Sequence, residues 1–462
     1  MLLVRARGLA VVVLLGLVAG LWGMQATGLV SSNDGSHVAL ARALALRQSP
    51  VIDPDIDLTL WVDYAERAGH YYSDRPPGTA LLAVGAVAVG HALDEPLLAW
   101  SRSRRALLFV PASPPFVRTY GRRSADPPPL RERLGTAWAV TLQAISVGLV
   151  GLAALVAWLC ERGHRRREAI VTAAVFAGAS LWGVYATTLF AHGSAAMWVG
   201  LVLWLSCNQR LRPTMAVALG LCGGMAMVTE YTLVIPIVIG VALSQPVRRW
   251  GWVSAGAVGP IAGAAIYHYA AFGSPWSIGY AHHGEFGFAR ELSTTFSGDP
   301  LVGLGTLMGL HRGAGLLAQS PVILLGVLGW RRADPALRRW LWAFSPWLVL
   351  IACHRTPFGG GTVDHRYLVP ALPLLAAGWA RSVAPRLIRW RFGWSTLPIV
   401  GLLAWSVYRT WSRFLAWHEA AAFGSWRLGV SLALAVGGLA AGLWFAWWLA
   451  RAVATTRGGA RA

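Results

Sequence analysis

The chain is predicted to be an all-α, polytopic membrane protein of about 12 transmembrane helices, and three observations carry that expectation. Of its 462 residues 56% are hydrophobic and 13% charged, against roughly 25% charged in an ordinary soluble domain. Apolar runs of roughly 16–25 residues recur, separated by short arginine-rich links. The 25 tryptophans suit a protein that borders lipid headgroups, where their amphipathic rings collect.

In chain order, the apolar run over residues 9–30 has no small-residue cleavage site after a short core, so it is expected to remain as the first span. Spans are expected at 8–29, 135–159, 169–190, 193–208, 214–229, 231–246, 250–272, 316–330, 339–353, 367–382, 394–410 and 428–450. Several are short for a ~30 Å hydrocarbon core, which predicts tilted, broken or partly buried helices. Three regions follow: residues 1–30 with the first span, an external loop over 31–134 with juxtamembrane helices and a polar insertion, and the multi-helix domain 135–462.

Charge orients these spans. All 40 basic residues are arginine, and the net charge is +20. With both termini cytoplasmic, 21 arginines fall on that side and 7 in the short external loops. That bias matches the positive-inside rule and accounts for the charge without a nucleic-acid partner. A single crossing by residues 78–93 would invert every later loop. They are therefore expected to form a helix at the outer interface, or half of an even-numbered excursion. The four cysteines have neither zinc-site nor disulfide-framework spacing.

The candidate chemistry lies in the external regions. In SSNDGSH (31–37), Asp34 follows the first span directly. Asn33 or Asp34 could cap the next helix, starting at Gly35, and a capping carboxylate held by helix amides can also act as a base. In YYSDRPPG (71–78), two prolines suit a helix start. Asp74 and Arg75 are either a solvated pair or an arginine, oriented by its neighbour, waiting for a lipid-borne phosphate. His192 sits at the outer end of a span, as a cap or a ligand. Glu230, between two short apolar helices, needs a partner or water. Arg366 either snorkels or binds an anion. His282, His283, His311 and Arg312 are further external candidates.

Taken in order, NDGSH, SDRPPG, FAHGSAAM (190–197), VTEYTLVIP (228–236), GSPWSIGY (273–280), LHRGAGLLAQSPVILL (310–325) and GGGTVDHRYLVPALP (359–373) resemble the GT-C superfamily of polyprenyl-phosphate-sugar-dependent glycosyltransferases. Bacterial aminoarabinose transferases and protein mannosyltransferases are its best-known members. The resemblance covers roughly residues 1–410 as an ordered set. It implies an acidic residue after the first span, matched by Asp34, as catalytic base. His37, Asp74, Arg75, His192, Glu230 and Arg366 are implied to bind substrate. The chain departs from the pattern at Gly35, which replaces a second acid and removes the adjacent carboxylate pair that a divalent metal would use. It departs also at His37, which replaces an arginine and makes a phosphate contact there pH-sensitive.

The activity so implied is inverting transfer of a sugar from a polyprenyl-phosphate donor to a hydroxyl acceptor on a lipid, glycan or protein, at the outer face of the cell membrane. It needs a base, a cation at the phosphate and in-line alignment. No Gly-rich nucleotide loop appears. The rival readings are a transporter or flippase, in which Glu230, His192 and Arg366 line a path, and a ligase or polymerase of lipid-linked glycans. A transporter more often shows related halves, absent here.

Overall fold

A computed structural model describes residues 2–26, 31–103, 133–207, 212–359, 364–389 and 397–419. Among these the chain is predominantly helical with one two-stranded hairpin. Such a chain can cross lipid only where its own backbone groups satisfy one another.

Helix α1 spans Leu2–Gln25, and α2 spans Ser32–Arg47. The cap of α2 is neither Asn33 nor Asp34. Ser31 is the N-cap, its Oγ accepting from the Asp34 amide at 3.3 Å, and Asp34 lies in the first turn. A hydroxyl one turn earlier thus takes the capping role and leaves the carboxylate inside the helix. After a 3-10 helix, Asp53–Thr59, strands β1 (Ala65–Arg67) and β2 (His70–Tyr72) form an antiparallel hairpin. Its two-residue turn, Ala68–Gly69, has φ of +51° and +79°. Those left-handed values match the right-handed twist of the strands. The external loop is therefore part helix and part hairpin. Helix α3 follows over Pro77–Ser103.

Helix α4 (Leu134–Glu161) agrees with the expected span 135–159. The span expected over 169–190 is instead broken. Helix α5 (Arg166–Gly178) stops before Ser180, which caps the short α6 (Leu181–Tyr185) through the Trp182 amide. Helices α7 (Ala191–Ser206), α8 (Pro213–Thr229), α9 (Val234–Ser244) and α10 (Trp250–Phe272) lie close to expectation. The outer loop carries α11 (Pro300–Met308). Residues 316–330 form three separate turns interrupted at Ser320–Pro321 and Leu325–Gly326 rather than one span. Helices α12 (Pro335–Ala352), α13 (Leu372–Ser382) and α14 (Leu397–Glu419) complete the described chain. The expected span 428–450 and most of the 94–134 insertion lie outside the described residues.

Among the described residues, two helical stretches are long and apolar enough to cross a membrane, Pro77–Ala99 and Leu134–Glu161. A third counts if Tyr231–Ser244 and Val247–Phe272, which meet at 119°, form one span. Four more apolar helices are shorter, among them α7 and α8. Close approach of backbones, the packing available to helices in lipid, joins α8 to α10: a Cβ at Gly220 would strike the Val253 carbonyl.

The contacts of α3 define where it runs. Its first turn, at Gly78, abuts Thr229 at the end of α8, and Gly90 to Asp94 abut Gly135 to Ala139 in the first turns of α4. Helix α3 thus runs antiparallel to the beginning of α4. It is joined there by a buried ionic network. Asp55 accepts from Arg42 and Arg47, each at 2.9 Å, with Arg133 at 3.3 Å. Asp94 accepts from the Thr136 amide at 2.8 Å and faces Arg42 at 3.6 Å.

Candidate functional site

The hairpin register pairs Ala65 with Tyr72 and Arg67 with His70. Carried two residues further, the same register sets Asp63 against Asp74. Between them lies Arg75, which forms an ion pair with Asp63 and another with Asp74 at 3.2 Å. Serines on the first turns of α2 hold both carboxylates. Ser32 Oγ donates to Asp63 at 2.6 Å, and Ser36 Oγ donates to Asp74 at 3.0 Å. Asp34, fully buried on the same turn, accepts from Ser31 Oγ at 3.1 Å.

Only glycine fits at position 35. A Cβ there would land on the Leu58 carbonyl, so the second acid of the acidic pair is sterically barred. The second and third carboxylates of the site come instead from Asp63 and Asp74. Asp63 is a site residue that the sequence reading missed. The signal available was the Ala-Gly turn between two aromatic-rich segments, which predicts a hairpin and hence the pairing of its flanks.

The outer loop closes over this pair. His283 bridges to Ala65, the Gly284 amide donates to the Tyr64 carbonyl at 2.9 Å, and His283 Nε2 lies 3.6 Å from Asp74. Tyr280 faces Arg75, with its hydroxyl 3.4 Å from Nη1 and its ring centroid 5.8 Å from the guanidinium carbon. His282 instead stacks on Phe272 at 4.8 Å and bonds Ser277, a packing role. His311 is exposed.

The remaining candidates face the same centre from the helical domain. His192, in the first turn of α7, has Nδ1 3.8 Å from Glu230. It does not cap that helix, whose N-cap is Phe190. Tyr367 and Tyr185 pack edge-on against its ring. Arg366 is held by the Gly359 carbonyl and by Asp364 at 3.8 Å, and lies over Phe190 and Tyr367. Asp364 in turn accepts from the Tyr185 hydroxyl at 2.6 Å. Arg75 and Arg366 are close enough to repel one another, and Arg75 acts on Glu230, His192 and His37 as well. The side chains of Arg75 and Glu230 are each 18% exposed and that of Arg366 12%, whereas Asp74 is sealed.

Electrostatics divides the roles. Burial would raise Asp63, but Arg75 and the Ser32 hydroxyl overcome it and hold that carboxyl below its ordinary value. Burial raises Asp74 despite Arg75, and the neighbouring Asp63 charge adds to the rise. Burial also lifts Glu230, in the turn after α8, to about 7, against the opposing pull of Arg75. His37 is pushed down to about 3 by burial and then by Arg75. Held neutral across physiological pH, His37 would meet a phosphate as a hydrogen-bond partner rather than as a cation. A buried imidazole beside a guanidinium cannot readily accept a second positive charge.

Asp63, Asp74 and His283 also present ligand atoms within 4.8 Å of one another. Two features oppose a divalent metal. The Arg75 guanidinium already pairs with both carboxylates. His283 Nδ1 accepts from the Glu285 and Phe286 amides at 3.2 and 3.1 Å, which assigns the proton to Nε2, the atom that would have to ligate. The trio is better suited to hydrogen bonding than to coordination.

No family model, curated protein or solved structure matches this chain.

Proposed function

We propose that the chain is an integral membrane glycosyltransferase of the GT-C type, taking a sugar from a polyprenyl-phosphate donor to a hydroxyl acceptor at the outer face of the cell membrane. The single observation that carries this reading is convergence. Five polar residues that the ordered motifs single out, His37, Asp74, His192, Glu230 and Arg366, lie around the Arg75 guanidinium, with Asp34 on the turn of α2 that also supplies Ser32 and Ser36. About 12 spans with cytoplasmic termini fit the arginine distribution.

In this reading the donor phosphate lies between Arg75 and Arg366, whose mutual repulsion an anion offsets. Both guanidiniums are partly accessible there. Protonated Glu230 donates a hydrogen bond to the phosphate or the sugar. Asp34 accepts the proton of the acceptor hydroxyl as its oxygen bonds to the anomeric carbon. The bond from that carbon to the phosphate oxygen breaks, polyprenyl phosphate leaves with the electron pair, and the configuration inverts. Asp74 positions Arg75, and His37 and His192 wall the site.

The test uses purified protein and a polyprenyl-phosphate sugar. Asp34→Asn keeps volume and the first-turn position but removes the proton acceptor, and general-base loss costs ~10²–10⁴ in rate. It is expected to bind donor and transfer almost nothing. Arg75→Ala is expected to weaken donor binding roughly ten- to a hundredfold, with Arg75→Lys intermediate because the fork geometry is lost. Turnover of Asp34→Asn near the wild-type rate would remove the mechanism. A transporter of lipid-linked glycan is the second reading, favoured by a Glu230 that titrates near neutrality beside His192. It moves the donor without cleaving it, which the same assay distinguishes.

A further inference from the structure

At the opposite end of α7 from His192 the ends of four helices enclose a cavity of about 90 Å³. Trp158 and Arg162 from the end of α4, Ser206 from α7, Ser244 from α9, and Arg339 and Trp340 from the start of α12 line it. The fourteen helical steps from His192 to Ser206 separate the two sites by roughly 21 Å at 1.5 Å per residue. The volume is several times the ~10–15 Å³ that one water needs on this measure.

Three observations in this cavity point to an anion. Arg339 is partly buried, yet among the described residues it has neither a carboxylate nor a carbonyl partner. Ser244 Oγ is buried without a hydrogen-bond partner. Asp334 answers two guanidiniums at once, pairing with Arg162 and with Arg381 at 3.1 Å, so positive charge is left in excess around the walls. A buried hydroxyl that lacks a partner is costly unless a ligand supplies one. Beside Ser244 the helix surface is apolar and exposed, with Leu243 48% and Val247 71% accessible. An acyl chain would lie against such a surface.

We infer that this cavity binds the phosphate of an anionic phosphate ester, presented by a lipid headgroup at the cytoplasmic boundary of the membrane. Arg339 supplies the charge, Ser244 donates a hydrogen bond, and Arg162, fixed by Asp334, closes the far wall. The site owes nothing to the glycosyltransferase reading and stands or falls separately from it.

The experiment is native mass spectrometry of the full chain in mild detergent, with phosphatidylglycerol, phosphatidylcholine or inorganic phosphate added as the probe. The wild type is expected to retain phosphatidylglycerol over phosphatidylcholine. Arg339→Gln and Ser244→Leu should each lower that retention about tenfold, as loss of a charge-assisted bond or filling of the cavity predicts. Arg331→Gln removes the same charge from an exposed position and should leave retention unchanged. Binding of inorganic phosphate, sensitive to Arg339→Gln but without lipid retention, supports the site and assigns it to a soluble phosphate ester. Equal retention of both lipids, or an equal loss in all three variants, overturns the proposal.

Discussion

Arg75 faces Asp63 and Asp74 together, and one guanidinium cannot fully compensate two buried carboxylates. The structure resolves the excess by separating their proton affinities: Asp63 is held low and Asp74 raised. Glu230, at about 7, is a further acid of the centre and the one poised to change state near neutrality. Its folded-state value lies above the ordinary glutamate value of 4.5. The folded protein therefore holds that proton more tightly than the unfolded chain does. The contribution of Glu230 to stability is greatest below pH 4.5 and is lost as pH rises toward 7. Thermal unfolding of the purified protein between pH 5 and 8 should show this decline, and Glu230→Gln should flatten it. A variant whose pH profile parallels the wild type would mean that Glu230 is not buried in its neutral form. In the proposed reaction the same substitution should also make donor binding independent of pH near 7.

At the scale of elements, the hairpin and α2 build the site jointly. The turn at Ala68–Gly69 brings Asp63 to Asp74, and Ser32 and Ser36, one helical turn apart, reach one carboxylate each. Helix α2 can approach only because Gly35 leaves room for the Leu58 carbonyl. At its other end the Asp55 network fixes α2 to α4. Asp55 is 1% exposed and faces Arg42, Arg47 and Arg133. Asp55→Asn keeps the shape and removes the charge, so that Arg42 keeps only Asp94, Arg133 keeps only Asp57, and the partly exposed Arg47 loses its carboxylate. A drop in melting temperature is expected, smaller than the ~3–5 kcal/mol of a fully uncompensated buried charge. No drop would show that water, not Asp55, solvates these arginines.

For the whole molecule, the arginine asymmetry and the contacts of α3 bear on the same question of orientation. Cys160 ends α4 beside the arginine-rich link and is exposed, whereas Cys353 follows α12 and is partly buried. In the proposed topology an impermeant thiol reagent applied to intact cells modifies Cys353. It leaves Cys160 untouched until the membrane is opened. Modification of Cys160 first would invert the arrangement and place α3 across the bilayer.

Helical content was legible in the sequence because lipid-compatible composition and arginine-bounded apolar runs are local properties, and α4 and α10 lie close to where those runs place them. Asp34, Asp74, Arg75, His192, Glu230 and Arg366 were legible as candidates because polar residues are conspicuous against an apolar chain. Breaks inside the runs were not. Ser180 and the turns of residues 316–330 interrupt stretches whose hydropathy is continuous, since hydropathy does not record backbone hydrogen bonding. Asp63, His283 and Tyr280 needed the tertiary structure as well. Their place beside Arg75 comes from strand register and from a loop arriving two hundred residues later. So does the neutral state of His37, because desolvation depends on what packs around a group rather than on its neighbours in sequence.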